Sequence, residues 1–184
     1  MSAPNLSPSA ADRPQDHGVF ESSFLNRARV FLKSIGIDME PATLERKTFL
    51  PGVRIEGTML HVDESRLEYP GDILHEAGHI AVAPPSRRGR LKDQVSNDPA
   101  EEMMAIAWSW AALKHLQADP RIVFHDAFKG GSDNLIDAFS NGGGCGVPVL
   151  QWLGMTAEGP RAEELGVSPF PHMIEWVRTR ETGG

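Results

Sequence analysis

Five residues near the middle of the chain, His75-Glu76-Ala77-Gly78-His79, constrain the fold more than any other stretch. They sit in a run whose apolar members, Ile73, Leu74, Ala77, Ile80 and Ala81, recur at helical spacing, and Pro84-Pro85 closes it because proline supplies no backbone donor. The spacing predicts a helix from Gly71-Asp72 to about Ala83. Histidines at i and i+4 project from one helix face a single turn apart, so both imidazoles reach the same ion. Glu76 is rotated around the helix, beside that ion and not on it, where it can hold and deprotonate a water. Gly78 costs the helix about 1 kcal/mol relative to alanine, so a neighbouring element is expected to pack closely there.

A catalytic zinc site takes three protein ligands and keeps one position open. The next helix, Pro99 to Leu116, offers Glu101 and Glu102. Asp98 reads as its N-cap, Pro99 as its first residue and Glu101 as the third, a capping box in which Glu101 reaches back to the cap. That leaves Glu102 as the favoured third ligand over Glu101. Ala105, one turn on, permits close approach of the two helices. The rest of this second helix (Met103, Met104, Ile106, Ala107, Trp108, Trp110, Ala111, Leu113) is apolar almost all round, so it belongs in the core, with Trp108 and Trp110 as packing residues. His115 lies ~20 Å along the helix from Glu102, too far to share its ion.

Other elements follow from the same patterns. Phe24, Leu25, Ala28, Phe31, Leu32 and Ile35 mark an amphipathic helix over Glu21 to Ile35, stopped at Gly36. Thr48 to Asp63 is strand-like: Val53-Arg54-Ile55-Glu56 alternates, Gly57 breaks, and Met59 to Val62 follows. Short helices are expected at Ser132–Phe139 and Val147–Leu153, and a terminal amphipathic helix at His172–Arg178. Residues 86 to 97 read as a polar loop, with its Arg87, Arg88, Arg90 and Lys92 as a solvated cluster. Asn141 to Gly146 reads as a flexible glycine-rich loop near the cleft. Residues 1–18, rich in Ser, Pro, Ala and Asp, read as a disordered tail, and 19–184 as a single domain. Helix, strands, helix, helix gives an α+β fold, not a regular βαβ array.

The net charge of −7 argues against a nucleic-acid partner. With one cysteine, Cys145, no intrachain disulfide and no thiolate zinc cluster can form, and an isolated thiol without a defined partner is usually inert. No apolar run approaches the ~20 residues that cross a bilayer, and the N-terminus is no secretory signal, so the default expectation is a cytoplasmic protein without a membrane partner.

Leu74-His75-Glu76-Ala77-Gly78-His79, followed after 22 intervening residues by Glu102 with Ala105 three positions on, resembles the gluzincin branch of the zincin metallopeptidases. The resemblance spans roughly residues 50 to 117. It implies a zincin-like fold, a small β-sheet packed on the active-site helix and a buried second helix. It also implies Zn2+ held by His75, His79 and Glu102, with Glu76 as general base in the hydrolysis of a peptide or protein substrate. Met59 to Asp63 would be the sheet edge along which the peptide aligns. This chain departs from the family in placing Ile106 where many gluzincins carry an Asp that orients a histidine. The group that steadies the oxyanion is open among Tyr69, His61, His125 and His172. A metal-binding module of the same fold without catalysis, and a peptidase dedicated to one partner protein, are the competing expectations.

Overall fold

A computed structural model of the chain describes residues 18–45, 48, 50–92, 98–129 and 131–181. The expected disordered tail falls almost wholly outside these residues. Among them the fold is α+β, with seven α-helices and one small mixed sheet.

Helix α1 (Ser23–Ser34) forms where the apolar spacing predicts it. Ser22 caps its start by accepting from the Leu25 N–H, and Phe24, Leu25, Ala28, Phe31 and Leu32 face the core. The chain then enters β1 (Asp38–Pro41), which the sequence did not signal. Strands β2 (Val53–Glu56) and β3 (Met59–Val62) form the expected hairpin around Gly57. The sheet order is β1-β3-β2, with β1 parallel and β2 antiparallel to β3. Register puts Met39, Leu60 and Ile55 in one row facing the core, and Glu40, His61 and Arg54 in the outward row. This corrects the expectation that Met59 to Asp63 forms a sheet edge: β3 is the central strand, its backbone groups paired on both sides, so no peptide can add to it.

Helix α2 (Asp72–Val82) carries the histidine motif and is buried along its whole length except at His75. After Pro84 a short α3 (Pro85–Arg88) occupies the first part of the expected loop; residues 93–97 lie outside the described residues. Helix α4 (Pro99–His115) is the long core helix, with Trp108 and Trp110 fully buried, although Met103 stands 38% exposed. Helices α5 (Ser132–Ser140), α6 (Val147–Trp152) and α7 (Gly159–Leu165) complete the fold. α7 was not foreseen because it buries only Ala162 and so shows no apolar period.

The expected helix at His172–Arg178 is absent. Its amides are drawn to distant acceptors instead: Ile174 and Glu175 N–H donate to the Met155 carbonyl, and Arg178 N–H donates to the Ala81 carbonyl. The apolar spacing there serves packing, with Trp176 set against Phe31, Trp108 and His115.

Among the described residues, helices α2 and α4 make the most extensive helix contact, while the sheet rests on α1 through β1; both halves share one core. The crossing is close at Gly78, where a Cβ would lie 2.9 Å from the Ala105 carbonyl oxygen and 3.2 Å from its Cα. That fulfils the expectation of a tight neighbour and brings the first turn of α4 against the histidine face. None of the helices of the described residues is long and apolar enough to cross a membrane.

Candidate metal centre

The helix crossing gathers three donor groups. His75 Nε2 and His79 Nε2 lie 3.2 Å apart, Glu102 Oε1 lies 3.3 Å from His75 Nε2, and Glu102 Oε2 lies 3.4 Å from His79 Nε2. A tetrahedral zinc with bonds of about 2.0–2.1 Å sets its ligand atoms about 3.3 Å apart, the spacing of the two Nε2 atoms and of each Nε2 from the Glu102 oxygen nearest it. The three residues are the one group of His, Cys, Asp or Glu among the described residues whose donor atoms converge in this way.

The local chemistry also suits a cation. Two imidazole Nε2 atoms facing each other can share one proton at most, and Glu102 Oε1 is buried without a well-formed hydrogen bond. The contacts from His75, then His79, hold the Glu102 carboxyl well below the usual carboxylate range, so it is an anion set against both imidazoles. An ion between them would satisfy all three groups at once.

Glu76 lies beside this triangle, 7% exposed. Burial pushes its carboxyl above the usual range, partly offset by His75 and His79, and no hydrogen bond to a described residue contributes. A carboxyl whose pKa is raised by burial is suited to holding a proton near neutral pH. Glu101, the alternative third ligand, turns the other way, and both its oxygens meet the Arg87 guanidinium. The Asp98 side chain caps α4 as expected, accepting from the Ala100 N–H.

Of the four oxyanion candidates, His125 and Tyr69 come together beside α2. His125 Nε2 is 3.0 Å from Asp72 Oδ1, each side chain 12% exposed. The Tyr69 ring stacks on His125 with centroids 3.5 Å apart, and Phe128 packs edgewise on both His125 and His75. Burial pushes the Asp72 carboxyl up, opposed by His125. Asp72, one turn before His75, was read from sequence only as the opening of a helix; its pairing with a histidine 53 residues on left no local signal. His61 is placed otherwise, between Glu40 (2.9 Å) and Glu56 (3.7 Å) on the outward side of the sheet. His172 is exposed, and its carbonyl accepts from the Thr156 hydroxyl.

His75 Nδ1 and His79 Nδ1 are buried without partners. Zinc-bound histidines ordinarily donate this N–H to an acceptor that fixes the ring, so the sequence departure at Ile106 has no replacement among the described residues. Cys145 does not join the triangle, and burial raises its thiol pKa, which keeps it protonated. The glycine-rich loop does reach the site's edge. Gly146, at φ 84°, presses so closely on the second turn of α4 that a Cβ would fall 2.1 Å from the carbonyl oxygen of Met103, the residue after Glu102. No protein-family model, curated protein or solved structure matches this chain.

Proposed function

We propose that this protein is a zinc-dependent, peptidase-like hydrolase, with His75, His79 and Glu102 as ligands and Glu76 as general base. The observation that carries the reading is the convergence of both Nε2 atoms and the Glu102 carboxylate at 3.2–3.4 Å contacts, with a buried glutamate beside them. The resemblance to gluzincins points the same way, and a zincin-like fold belongs to the same proposal.

When bound, such an ion acidifies a water and polarises a carbonyl. The chain's own residues supply the rest. The Glu76 carboxylate takes the proton from the attacking water and passes it to the leaving nitrogen. His75 and His79 present their Nε2 atoms from consecutive turns, and Glu102 closes the triangle from α4. His75 and Glu102, more exposed than His79, form the side of the site that would be open to water and substrate.

The test combines metal analysis of the purified protein with a chelator-sensitive peptide-cleavage assay. One zinc per chain, lost in His79→Ala, and cleavage abolished in Glu76→Gln with zinc retained are expected. Undiminished cleavage by Glu76→Gln would refute the base assignment, and stoichiometric zinc in His79→Ala would refute the ligand set.

The two partnerless Nδ1 atoms favour a second reading, a metal-binding module without catalysis. Stoichiometric zinc without cleavage of any peptide in a diverse library would select it.

A further inference from the structure

Helix α2 ends in an unusual arrangement. The last four carbonyls of an α-helix have no partner within it. Here Pro84 removes the amide that would ordinarily serve Ile80. The Ala83 N–H serves His79 O, and the carbonyls of Ile80, Ala81, Val82 and the C-cap Ala83 are bonded by two arginines. Arg88 donates from Nε to Ile80 O (3.1 Å) and from Nη2 to Ala83 O (2.8 Å). Arg178, 2% exposed and far along the chain, donates its backbone N–H to Ala81 O (2.9 Å) and Nη1 to Val82 O (3.2 Å). Arg88 Nη2 also donates to the Arg178 carbonyl (2.5 Å), tying the two together.

The same tail grips the far side of the bend. The Glu181 carboxylate accepts from the Ser86 N–H (2.7 Å) and the Ser86 hydroxyl (3.0 Å). The tail therefore sets a cation on the negative end of α2 and an anion on the amide of α3, each the charge that the backbone there favours. Its position is held by Trp176, whose carbonyl accepts from the Trp108 indole N–H (2.8 Å).

This bend joins the two halves of the candidate metal centre. His79 is the residue before Ile80. Arg87, inside α3, pairs with Glu101, the neighbour of Glu102. We propose that Arg178 and Glu181 clasp the α2–α3 bend and so set the distance between the histidine pair and Glu102, which makes them positioning residues for the metal. The inference rests on the metal reading above. It assigns the segment around Arg178–Glu181, which touches no ligand, a part in metal affinity.

The experiment titrates cobalt(II), then zinc as competitor, into the metal-free full-length protein and its variants, reading the visible absorption of a tetrahedral site. Wild type should bind one cobalt with intense bands; no binding would overturn the metal reading itself. Arg178→Ala should bind at least about tenfold more weakly with displaced bands, and Arg178→Lys should recover part of both. Thr179→Ala, an exposed neighbour bonded to Glu175, should match wild type. A folded Arg178→Ala with wild-type affinity and bands would overturn the clasp while leaving the metal reading intact, and so would an equal loss in Thr179→Ala. Should Arg178→Ala fail to fold, Glu181→Gln, altered at an exposed side chain, decides the matter. A loss of about threefold supports the clasp, and wild-type affinity and bands overturn it.

Discussion

At the scale of single residues, the site sets a charge cost against a chemical use. Burial holds the Glu76 carboxyl above its ordinary pKa, so the folded state binds its proton more readily than the unfolded chain does. The ionised form therefore destabilises the metal-free fold at pH above the unfolded value, and the penalty disappears once pH falls below it. Glu76→Gln should thus raise the stability of the metal-free protein at pH 7 by on the order of 1 kcal/mol, with the gain vanishing near pH 4. Denaturant melts of both proteins across that range check this, and an equal or lower stability of the variant at pH 7 would count against it. Glu101 and Glu102 make a second pair of opposites. Glu102→Ala should lose the metal, whereas Glu101→Gln should keep one zinc per chain while breaking the Arg87 ion pair; metal analysis of both variants distinguishes them. The sequence favoured Glu102 by giving Glu101 a structural duty. The duty in the structure is the pair with Arg87, which comes from a segment read as a solvated loop. Helix-start grammar is local and was legible, down to the Asp98 cap. The Arg87 and Asp72–His125 pairings cross between elements and leave no periodic trace.

At the scale of elements, the α2–α4 crossing governs the site. Gly78→Ala would gain about 1 kcal/mol of helix propensity, but its Cβ would press on Ala105 backbone atoms that cannot move aside as a side chain end would. The net result should be destabilisation of about 1–2 kcal/mol together with weaker zinc binding, as α4 carries Glu102 away from the histidines. Thermal melts and metal titration read the two effects, and an unchanged zinc affinity would show that the crossing does not set the triangle. Helices α1, α2 and α4 were legible because each buries a face or its whole length, which writes the helical period into the sequence. β1 was not, because its four residues, Asp38-Met39-Glu40-Pro41, include one buried apolar side chain and a proline. The central place of β3 was beyond reach for the same reason, since strand order depends on β1. At residues 172–178 helical spacing misled, because Met173, Trp176 and Val177 pack from an irregular backbone.

At the scale of the whole molecule, the candidate metal centre and the core are one structure. The ligands lie on the two helices that form the main packing interface, so an ion held there stabilises the folded state by mass action. At a free zinc concentration of 100 times Kd the gain is about 2.7 kcal/mol, which for a chain of this size raises Tm by roughly 5–10 °C. Calorimetry with zinc and with a chelator should show that separation, and coincident melts would mean that no ion binds the folded state.

The seat of Gly146 carries a consequence for how the protein can vary. With a left-handed backbone and 2.1 Å of clearance to the Met103 carbonyl, that position admits a hydrogen atom and nothing larger. Any other amino acid there must displace the α4 backbone at Met103, the residue that follows Glu102. A saturation library screened for metal retention would therefore return a single letter at 146. The geometry of the candidate ligand set is thus bound, in mutational terms, to a residue outside it.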